Sequence, residues 1–363
     1  MDKAIVVVTA PDEARQEEIK LLAHTGEYEV VKTFAQFSRP RARFLIGEGK
    51  VEEISNFIRE NRVKLAIFED YLNSRQVMSL EEKFKIPVID KFDLILNVFE
   101  KHAKSREARL QIELARLKRK LPYIKIFLGR KVREEHPGFG SSGEYIIHST
   151  VSALHKRIKK IEKKLERFQE RVALQSKRRK EKGKVVSIAG YTNVGKTTIL
   201  NGLAKLQEEA RDELFTTLRT KTACIKLGGE KVFVNDTLGF IRNLPHELIY
   251  AFTATLGEIK NSDLVLLVLD ASEPLEEFLR KKEICENTLV NIGADHIPVV
   301  YVLNKIDLGN AIEEKKIGNC VAMSAKYNIG FDELKNKISE VLHGQSSAER
   351  SCAKNKEGRT CEV

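Results

Sequence analysis

The chain has 363 residues, of which 42% are hydrophobic, and its 63 Lys and Arg exceed its 52 Asp and Glu to give a net charge of +11. A chain of this length is expected to form two or three domains, and no apolar run approaches the roughly 20 residues that span a bilayer. With no signal-peptide pattern at residues 1–8 and five scattered cysteines without metal-ligand spacing, we expect a cytoplasmic protein with reduced thiols, without a disulfide or zinc.

Strand and helix patterns alternate over residues 1–95. Apolar strand patterns occupy residues 5–8, 28–31, 65–68 and 87–90, and helix patterns begin near Asp12, Lys50 and Ser74. This alternation predicts a small parallel sheet flanked by helices. Residues 47–50, Gly-Glu-Gly-Lys, lack the spacing of a phosphate loop and are interpreted as a turn and helix start, with a second nucleotide site as the alternative.

Residues 96–182 predict a basic helical hairpin. Apolar residues recur at spacings of four and three at Leu110, Leu114, Leu117 and Leu121, and again at Leu154, Ile158, Ile161, Leu165, Phe168 and Val172. We therefore expect two long antiparallel helices, joined by a glycine-rich loop of roughly thirty residues.

This hairpin carries most of the positive charge. Residues 101–182 contain 25 Lys or Arg against 9 Asp or Glu, a net charge of +16. One interpretation is that these charges form the solvated face of a coiled coil. The other is that the hairpin contacts RNA phosphates, with Arg130, Lys131 and Arg133 as the candidate contacts.

A phosphate-binding loop is predicted where an apolar strand pattern, 185–189, runs into the motif G-x-x-x-x-G-K-[ST]. Its candidate nucleotide-binding residues are Gly190, Tyr191, Thr192, Asn193, Val194, Gly195, Lys196, Thr197 and Thr198. Backbone N–H groups and the start of the next helix would face the β-phosphate. Lys196 would bridge the β- and γ-phosphates, and the Thr197 hydroxyl would hold Mg²⁺.

Two further segments are predicted to complete the magnesium and γ-phosphate site. The first consists of Phe215, Thr216, Thr217, Leu218 and Arg219. Thr217 is the candidate second ligand of Mg²⁺, unless these threonines lie on a strand surface. The second segment consists of Asp236, Thr237, Leu238 and Gly239. Asp236 would contact Mg²⁺ through water and the Gly239 N–H would meet the γ-phosphate, so Lys196, Thr217 and Gly239 are the candidate catalytic residues.

Phe240 occupies the position at which Ras-like enzymes carry the Gln that orients the attacking water. A phenyl ring cannot orient water, so we expect slow intrinsic hydrolysis that a partner accelerates. Arg219 and Arg242 are candidates for charge stabilisation, or else surface residues.

Guanine selectivity is predicted by residues 304–307, Asn-Lys-Ile-Asp, which follow the buried strand pattern 299–303. Asp307 can accept two hydrogen bonds from guanine that adenine cannot offer, Asn304 would tie this loop to the phosphate loop, and Lys305 would lie over the base. Ser324, Ala325 and Lys326 follow the next short strand, with the Ala325 amide placed to donate to guanine O6.

Together these patterns predict an α/β chain. A P-loop GTPase domain at 183–343, with a mostly parallel sheet and helices on both faces, follows an N-terminal domain at 1–182. That domain divides into an α/β subdomain at 1–95 and the hairpin at 96–182, and a disordered tail at 344–363 ends the chain.

Residues 190–326 resemble a translation-factor-type GTPase, and residues 190–196, 215–218 and above all 236–246 are similar to the HflX family. Residues 47–54, 88–99 and 106–115 resemble the amino-terminal domain of that family. The resemblance covers roughly residues 1–343. It implies a Mg²⁺-dependent, GTP-hydrolysing switch that binds GTP and GDP and associates with the large ribosomal subunit and its rRNA; bacterial members separate stalled ribosomes.

Asn193 resembles the corresponding residue of potassium-dependent GTPases, which makes it the candidate K⁺ ligand beside the β- and γ-phosphates. We expect a monomer. One alternative is a nucleotide-regulated RNA-binding or RNA-remodelling protein, and another is a signalling GTPase with a protein partner, which the +16 segment disfavours.

Overall fold

The computed structural model describes residues 1–37, 42–103, 105–135, 141–205, 221–242, 253–309, 312 and 317–357, with the backbone alone at 130–135, 141–146, 253–256 and 345–357. The chain forms two compact units, Met1–Phe168 and Gln169–Val363. The division between the units therefore falls before residue 182, at which the sequence patterns divide the chain.

A four-stranded parallel sheet with the order β2-β1-β3-β4 forms the centre of the first unit. Its strands are β1 (Asp2–Val8), β2 (Tyr28–Ala35), β3 (Leu65–Phe68) and β4 (Val88–Asp90). The helices between and after them are α1 (Glu13–Thr25), α2 (Glu48–Asn61), α3 (Ser74–Phe84) and α4 (Lys91–His102). The predicted alternation of strands and helices is confirmed.

Local polar side chains fix where these helices begin. The Asp12 carboxylate accepts a hydrogen bond from the Arg15 N–H ahead of α1, and Asn73 and Gln76 form a reciprocal capping box ahead of α3. Gly47 is the cap residue of α2, which agrees with the interpretation of residues 47–50 as a turn and helix start.

At the carboxyl edge of this sheet, buried charged side chains pair with one another. Arg15 of α1 binds Glu69, which follows β3, at 2.7 Å, and the Lys91 ammonium binds Glu18 at 2.5 Å and lies 3.8 Å from Glu69. Burial raises the pKa of Glu69, against the opposing effect of Lys91 and Arg15. Asp90, the last residue of β4, accepts from Arg119 and from the Leu72 N–H.

Two long helices, α5 (Arg106–Glu135) and α6 (Ser141–Lys180), form the predicted hairpin. The buried residues that pack between them follow the predicted spacing and are Leu114, Ile158, Ile161 and Leu165. Lys118 of α5 also pairs with Glu162 of α6 at 2.8 Å.

The predicted loop of roughly thirty residues between these helices is wrong. α5 continues through Pro122 and Gly129 to Glu135, and α6 already begins at Ser141. Only residues 136–140, which lie outside the described part of the chain, separate the helices.

Aromatic contacts support the helical turn after Pro122, which removes one backbone hydrogen bond. The rings of Tyr123 and Phe127, four residues apart, stack with centroids 6.2 Å apart. The Tyr123 hydroxyl also donates to Glu81 of α3 at 3.1 Å. Tertiary contacts therefore stabilise a helix that continues through a proline and a glycine.

A six-stranded sheet with the order β10-β9-β8-β5-β7-β6 forms the centre of the second unit, and only its β6–β7 pair is antiparallel among the described strands. Its strands are β5 (Lys184–Gly190), β6 (Lys221–Leu227), β7 (Glu230–Asp236), β8 (Leu264–Asp270), β9 (Val299–Asn304) and β10 (Cys320–Ala322). β8, at the centre, is buried along its whole length. The mostly parallel α/β sheet is as predicted.

The helices of this unit are α7 (Lys196–Ala204), α8 (Thr253–Lys260), α9 (Leu275–Asn291) and α10 (Phe331–Glu357), with a short 3-10 helix at Ile306–Leu308. The backbone of α10 continues as helix beyond residue 343, through most of the segment for which composition predicts disorder. Among the described helices, none is long and apolar enough to cross a membrane.

Candidate functional site

The carboxyl ends of four strands bring the predicted site segments to one edge of the second sheet. The segments that follow β5, β7, β9 and β10 are 190–196, 236–240, 304–307 and 323–326. Ligands of open parallel sheets bind outside this edge. Residues up to 136 positions apart in the chain are thus gathered where a nucleotide would lie.

Glycine is required at both ends of the phosphate loop. Gly190 has φ +146°, and a Cβ there would lie 2.3 Å from the Val268 carbonyl oxygen. Gly195 has φ +91°, and a Cβ there would lie 2.4 Å from Asn304 Nδ2. Between them Asn193 adopts a left-handed conformation with φ 61°. The loop therefore curls tightly, and α7 begins at Lys196, directly after it.

Lys196 points back into this loop. Its side chain is 7% exposed, and its ammonium donates to the carbonyl oxygens of Tyr191 (2.6 Å) and Gly190 (3.2 Å). Burial lowers the pKa of Lys196 to about 8, against the opposing effect of Asp236. The ammonium is therefore held by backbone carbonyls alone in these hydrogen bonds, partners that a phosphate can replace.

Thr197 and Asp236 provide oxygen atoms suited to Mg²⁺. The Thr197 hydroxyl donates to Asp236 Oδ2 at 2.7 Å, and Asp236 is fully buried at the end of β7. A hydroxyl and a carboxylate beside a phosphate loop are the kind of hard oxygen donors that Mg²⁺ takes, so these residues fit a magnesium ion. Among the described residues, no group of three or more His, Cys, Asp or Glu could hold a metal by itself.

The segment after β7 lies directly against the phosphate loop. A Cβ on Gly239 would lie 2.8 Å from Thr192 Cγ2 and 3.0 Å from Lys196 Nζ, so a larger residue would push the segment away. The Phe240 N–H donates to the Gly190 carbonyl at 3.0 Å, and the Thr192 N–H donates to the Phe240 carbonyl at 2.8 Å. The Thr237 hydroxyl donates to the Ile188 carbonyl at 2.8 Å, and Leu238 is buried.

The Phe240 side chain is 1% exposed and packs inside the unit. It presents no polar atom to a water molecule. The side chain of Arg242, a candidate for charge stabilisation, is also buried and pairs with Glu277 of α9.

On the base side, Asn304 joins two loops. Its Nδ2 donates to the Val194 carbonyl at 2.8 Å, and its Oδ1 accepts from the Ala325 N–H at 2.9 Å. The amide predicted to meet guanine O6 is therefore already bonded to Asn304 in this arrangement. Asp307 accepts from the Ser324 hydroxyl at 2.5 Å, which orients its carboxylate.

Two lysines of the predicted base site, Lys305 and Lys326, have contacts of their own. Lys305 is left-handed (φ 68°), and its ammonium pairs with Asp270 at 2.7 Å. The Lys326 ammonium lies 5.3 Å from the centre of the Tyr327 ring. Asp270 was missed by the sequence reasoning, although its place at the carboxyl end of the buried strand β8 could have indicated it.

Several predicted site residues are not placed. The whole segment 215–219, with Phe215, Thr216, Thr217, Leu218 and Arg219, lies outside the described residues. Helix α5, and not a loop, contains the three candidate RNA contacts Arg130, Lys131 and Arg133. Their side chains are not among those described.

A glycine-bounded phosphate loop between a strand and a helix, a Thr–Asp hydrogen bond beside it and an Asn-Lys-x-Asp loop on the same sheet edge define a P-loop GTPase. Family models agree with this class. Residues 13–100 match a GTP-binding GTPase N-terminal domain, residues 102–179 a GTP-binding GTPase middle region, and residues 185–305 a 50S ribosome-binding GTPase.

Curated relatives identify the family. The chain is 38% identical to GTPase HflX of Methanocaldococcus jannaschii over 335 residues, covering 90% of this chain and 83% of the relative. It is 39% identical to GTPase HflX of Thermococcus kodakarensis over 319 residues, covering 87% of this chain and 72% of the relative. The chain belongs to the HflX family of GTPases, as the sequence resemblance predicts, and it hydrolyses GTP.

A solved structure is similar in fold. A GTP-binding protein from the hyperthermophilic archaeon Sulfolobus solfataricus, in complex with GDP, is 27% identical and superposes with a TM-score of 0.52, covering 95% of this chain and 100% of that one. The predicted fold class and GTPase activity are confirmed by these comparisons.

Proposed function

We propose that this GTPase associates with the large ribosomal subunit and hydrolyses GTP there, as a switch that can separate or rescue ribosomes. The observation that supports it best is the match of residues 185–305 to a 50S ribosome-binding GTPase model. A basic helical hairpin in the same chain is the second argument for an RNA-rich partner.

At the nucleotide site, the proposed roles follow from the contacts. Lys196 exchanges its carbonyl partners for β- and γ-phosphate oxygens, and the Gly239 N–H meets the γ-phosphate. Thr197 would hold Mg²⁺ directly, and Asp236 would hold it through water. When bound, Mg²⁺ would neutralise charge on the β- and γ-phosphates.

The remaining assignments at this site are also proposals. Thr217 is the second protein ligand of Mg²⁺, within a segment that also includes Arg219. Asp307 reads the guanine edge, with its carboxylate oriented by Ser324. The Ala325 N–H would donate a hydrogen bond to guanine O6, either in place of its present bond to Asn304 Oδ1 or shared between the two oxygens.

Potassium is the proposed additional cofactor, with Asn193 as its ligand. Asn193 is exposed within the phosphate loop and has a left-handed backbone, so its side-chain oxygen is accessible to a cation, which supports the proposal. Single-turnover hydrolysis in potassium and in sodium buffer tests it, and equal rates would exclude a potassium-specific role.

The proposed RNA-binding surface is the exposed face of α6 within the first unit. Its exposed basic residues include Lys156, Arg157, Lys159, Lys160 and Lys163. Pairing neutralises only part of this charge, because Arg157 is bonded to Glu113 at 2.5 Å. Phosphate contacts by these side chains would release counterions, so binding should weaken steeply with salt. Arg130, Lys131 and Arg133 extend the same proposal along α5.

A nucleotide-regulated RNA-binding or RNA-remodelling protein is the second candidate, and the same basic face favours it. In that case nucleotide would change RNA affinity, but ribosomes would stimulate hydrolysis little. The chain is proposed to act as a cytoplasmic monomer with functional domains at 1–182 and 183–343 and a tail at 344–363.

The deciding experiment is GTP hydrolysis with and without purified large ribosomal subunits, for wild type and Thr197→Ala. Stimulation of tenfold or more, about 1.4 kcal/mol of barrier, that vanishes in the variant is the expected result. No stimulation, with guanine nucleotide binding intact, would contradict the proposal and favour the RNA-binding alternative.

A matched pair of charge variants tests the surface. Lys159→Gln with Lys163→Gln should weaken subunit binding and reduce its salt dependence. Lys335→Gln with Lys337→Gln, two partly exposed lysines of α10, removes the same charge from the other unit and should change neither.

A further inference from the structure

Tyr191 makes a contact that phosphate binding does not require. It occupies the second position of the phosphate loop, and its side chain is buried. Its phenol oxygen accepts a hydrogen bond from the Arg242 N–H at 2.8 Å. A buried tyrosine hydroxyl needs a polar partner, and here that partner is the backbone of the segment that follows Gly239.

Helix α9 holds both members of this contact. Glu277 forms an ion pair with the Arg242 guanidinium, and the Lys281 ammonium lies 5.0 Å from the centre of the Tyr191 ring. Arg242 is 5% exposed, so its charge is compensated inside the protein rather than by solvent. Arg242 is thereby held through both its backbone N–H and its side chain.

The Tyr191 contact completes a series along one segment. The Phe240 N–H and carbonyl are bonded to the Gly190 carbonyl and the Thr192 N–H, and the Arg242 N–H is bonded to the Tyr191 hydroxyl. Gly239 directly precedes these bonds. These hydrogen bonds fix the segment that follows Gly239. They therefore also restrict where the Gly239 N–H lies relative to a bound γ-phosphate.

We propose that Tyr191 is a positioning residue for GTP hydrolysis: its hydroxyl holds the Arg242 backbone and thereby sets where Gly239 meets the γ-phosphate. This role concerns the γ-phosphate alone, because GDP has no group at that place. Loss of the hydroxyl should therefore affect GTP-bound states and leave GDP binding as it is.

Tyr191→Phe tests this, because it removes one oxygen and keeps the ring under Lys281. Without ribosomes, we expect hydrolysis at saturating GTP to slow about three- to tenfold, the effect of one lost hydrogen bond. The affinity for a non-hydrolysable GTP analogue should fall over a similar range, whereas the affinity for GDP should not change. Glu277→Gln should shift the same two quantities in the same direction.

Tyr301→Phe is the matched control. Tyr301, on β9, donates its hydroxyl to Glu286 of α9 at 2.5 Å, so the control removes a tyrosine hydrogen bond to the same helix. It should leave hydrolysis and both affinities unchanged.

Equal losses of GDP and GTP-analogue affinity in Tyr191→Phe, or no loss of rate, would overturn the proposal, as would the same rate loss in the control. Because ribosomes are absent, failure here is separate from failure of the proposed ribosomal function. Thermal unfolding of each variant checks that the domain is folded.

Discussion

The two sheets of this protein use the same edge in opposite ways. Both are mainly parallel, so both gather loops at the carboxyl ends of their strands. In the first sheet that edge carries Glu69, with which Arg15 and Lys91 both pair. In the second sheet it carries a glycine-bounded phosphate loop in which the Lys196 ammonium is held by backbone carbonyls.

This difference distinguishes an edge that can bind a ligand from an edge that only stabilises the fold. Side-chain charges that neutralise each other leave nothing for a ligand to exchange, and removing one leaves another buried without compensation. Backbone carbonyls around an ammonium, as at Lys196, are exchanged at lower cost. Topology therefore supplies the edge, and residue type decides whether it binds a ligand.

The largest predicted effect concerns the edge of the first sheet, where buried charges pair. Lys91→Met should lower the free energy of unfolding by about 3–5 kcal/mol, because Glu18 and Glu69 lose their buried partner. Urea unfolding followed by circular dichroism measures it. GDP affinity, measured on the folded variant, should not change.

Lys64→Met is the control for this prediction. Lys64 pairs with Asp2 at 2.7 Å, but both side chains are exposed, so solvent replaces the interaction and no measurable loss is expected. Equal effects of the two variants would show that the first edge is not held by its buried charges.

At the nucleotide edge, Thr197→Ala should reduce single-turnover GTP hydrolysis about 100-fold or more, since a group that positions Mg²⁺ against the phosphates is lost. Its unfolding free energy should remain within about 1 kcal/mol of wild type. Wild-type hydrolysis by this variant would remove Thr197 from the magnesium site. A large loss of stability would mean that Thr197, like the charges at the first edge, mainly stabilises the fold.

Asp307→Asn should reduce the preference for GDP over ADP by about ten- to a hundredfold, because one carboxylate distinguishes the two bases. Competition binding with both nucleotides measures the ratio. An unchanged ratio would place base recognition on other groups at this edge.

The smallest effect concerns pH. Burial raises the pKa of Asp93 at the first edge to about 6, with Asp90 as the next cause. The folded state then holds the Asp93 proton where the unfolded state has lost it, so this group's contribution to stability falls as pH rises from 4 to 6. Asp93→Asn should therefore be more stable than wild type at pH 7, by about 1 kcal/mol after allowance for partial exposure.

The Asp93 effect is measured as the difference in urea midpoints between wild type and variant, at pH 4.5 and pH 7. The difference should be smaller at pH 4.5, about a third of its value at pH 7, because this pH lies only a little above the unfolded pKa of Asp93. A difference independent of pH would assign the effect to packing rather than to charge.

Local chemistry made the nucleotide site predictable from sequence. A phosphate loop is indicated by Gly190, Gly195 and Lys196, because the spacing of residues within an eight-residue motif determines the geometry of the loop. The strands of the first unit were predictable for the same reason, since residues 65–68 form a short apolar run between polar segments, a length typical of a buried strand.

Partners distant in the chain were not predictable. Nothing near Arg242 indicates Glu277, and nothing near Lys305 indicates Asp270, because tertiary folding alone brings them together. The length of α5 was missed for a similar reason: Pro122 argues for a stop, and the contact from Tyr123 to Glu81 that supports the helix lies in another element.

Asn304 has a consequence for how affinity is divided along the nucleotide. One amide side chain holds the phosphate loop through Val194 and the base-side loop through Ala325. The free energies of binding the two ends of the nucleotide are then not additive, because loss of either end loosens the side chain that serves the other. Free guanine and free pyrophosphate would each bind far more weakly than their shares of the GDP affinity suggest.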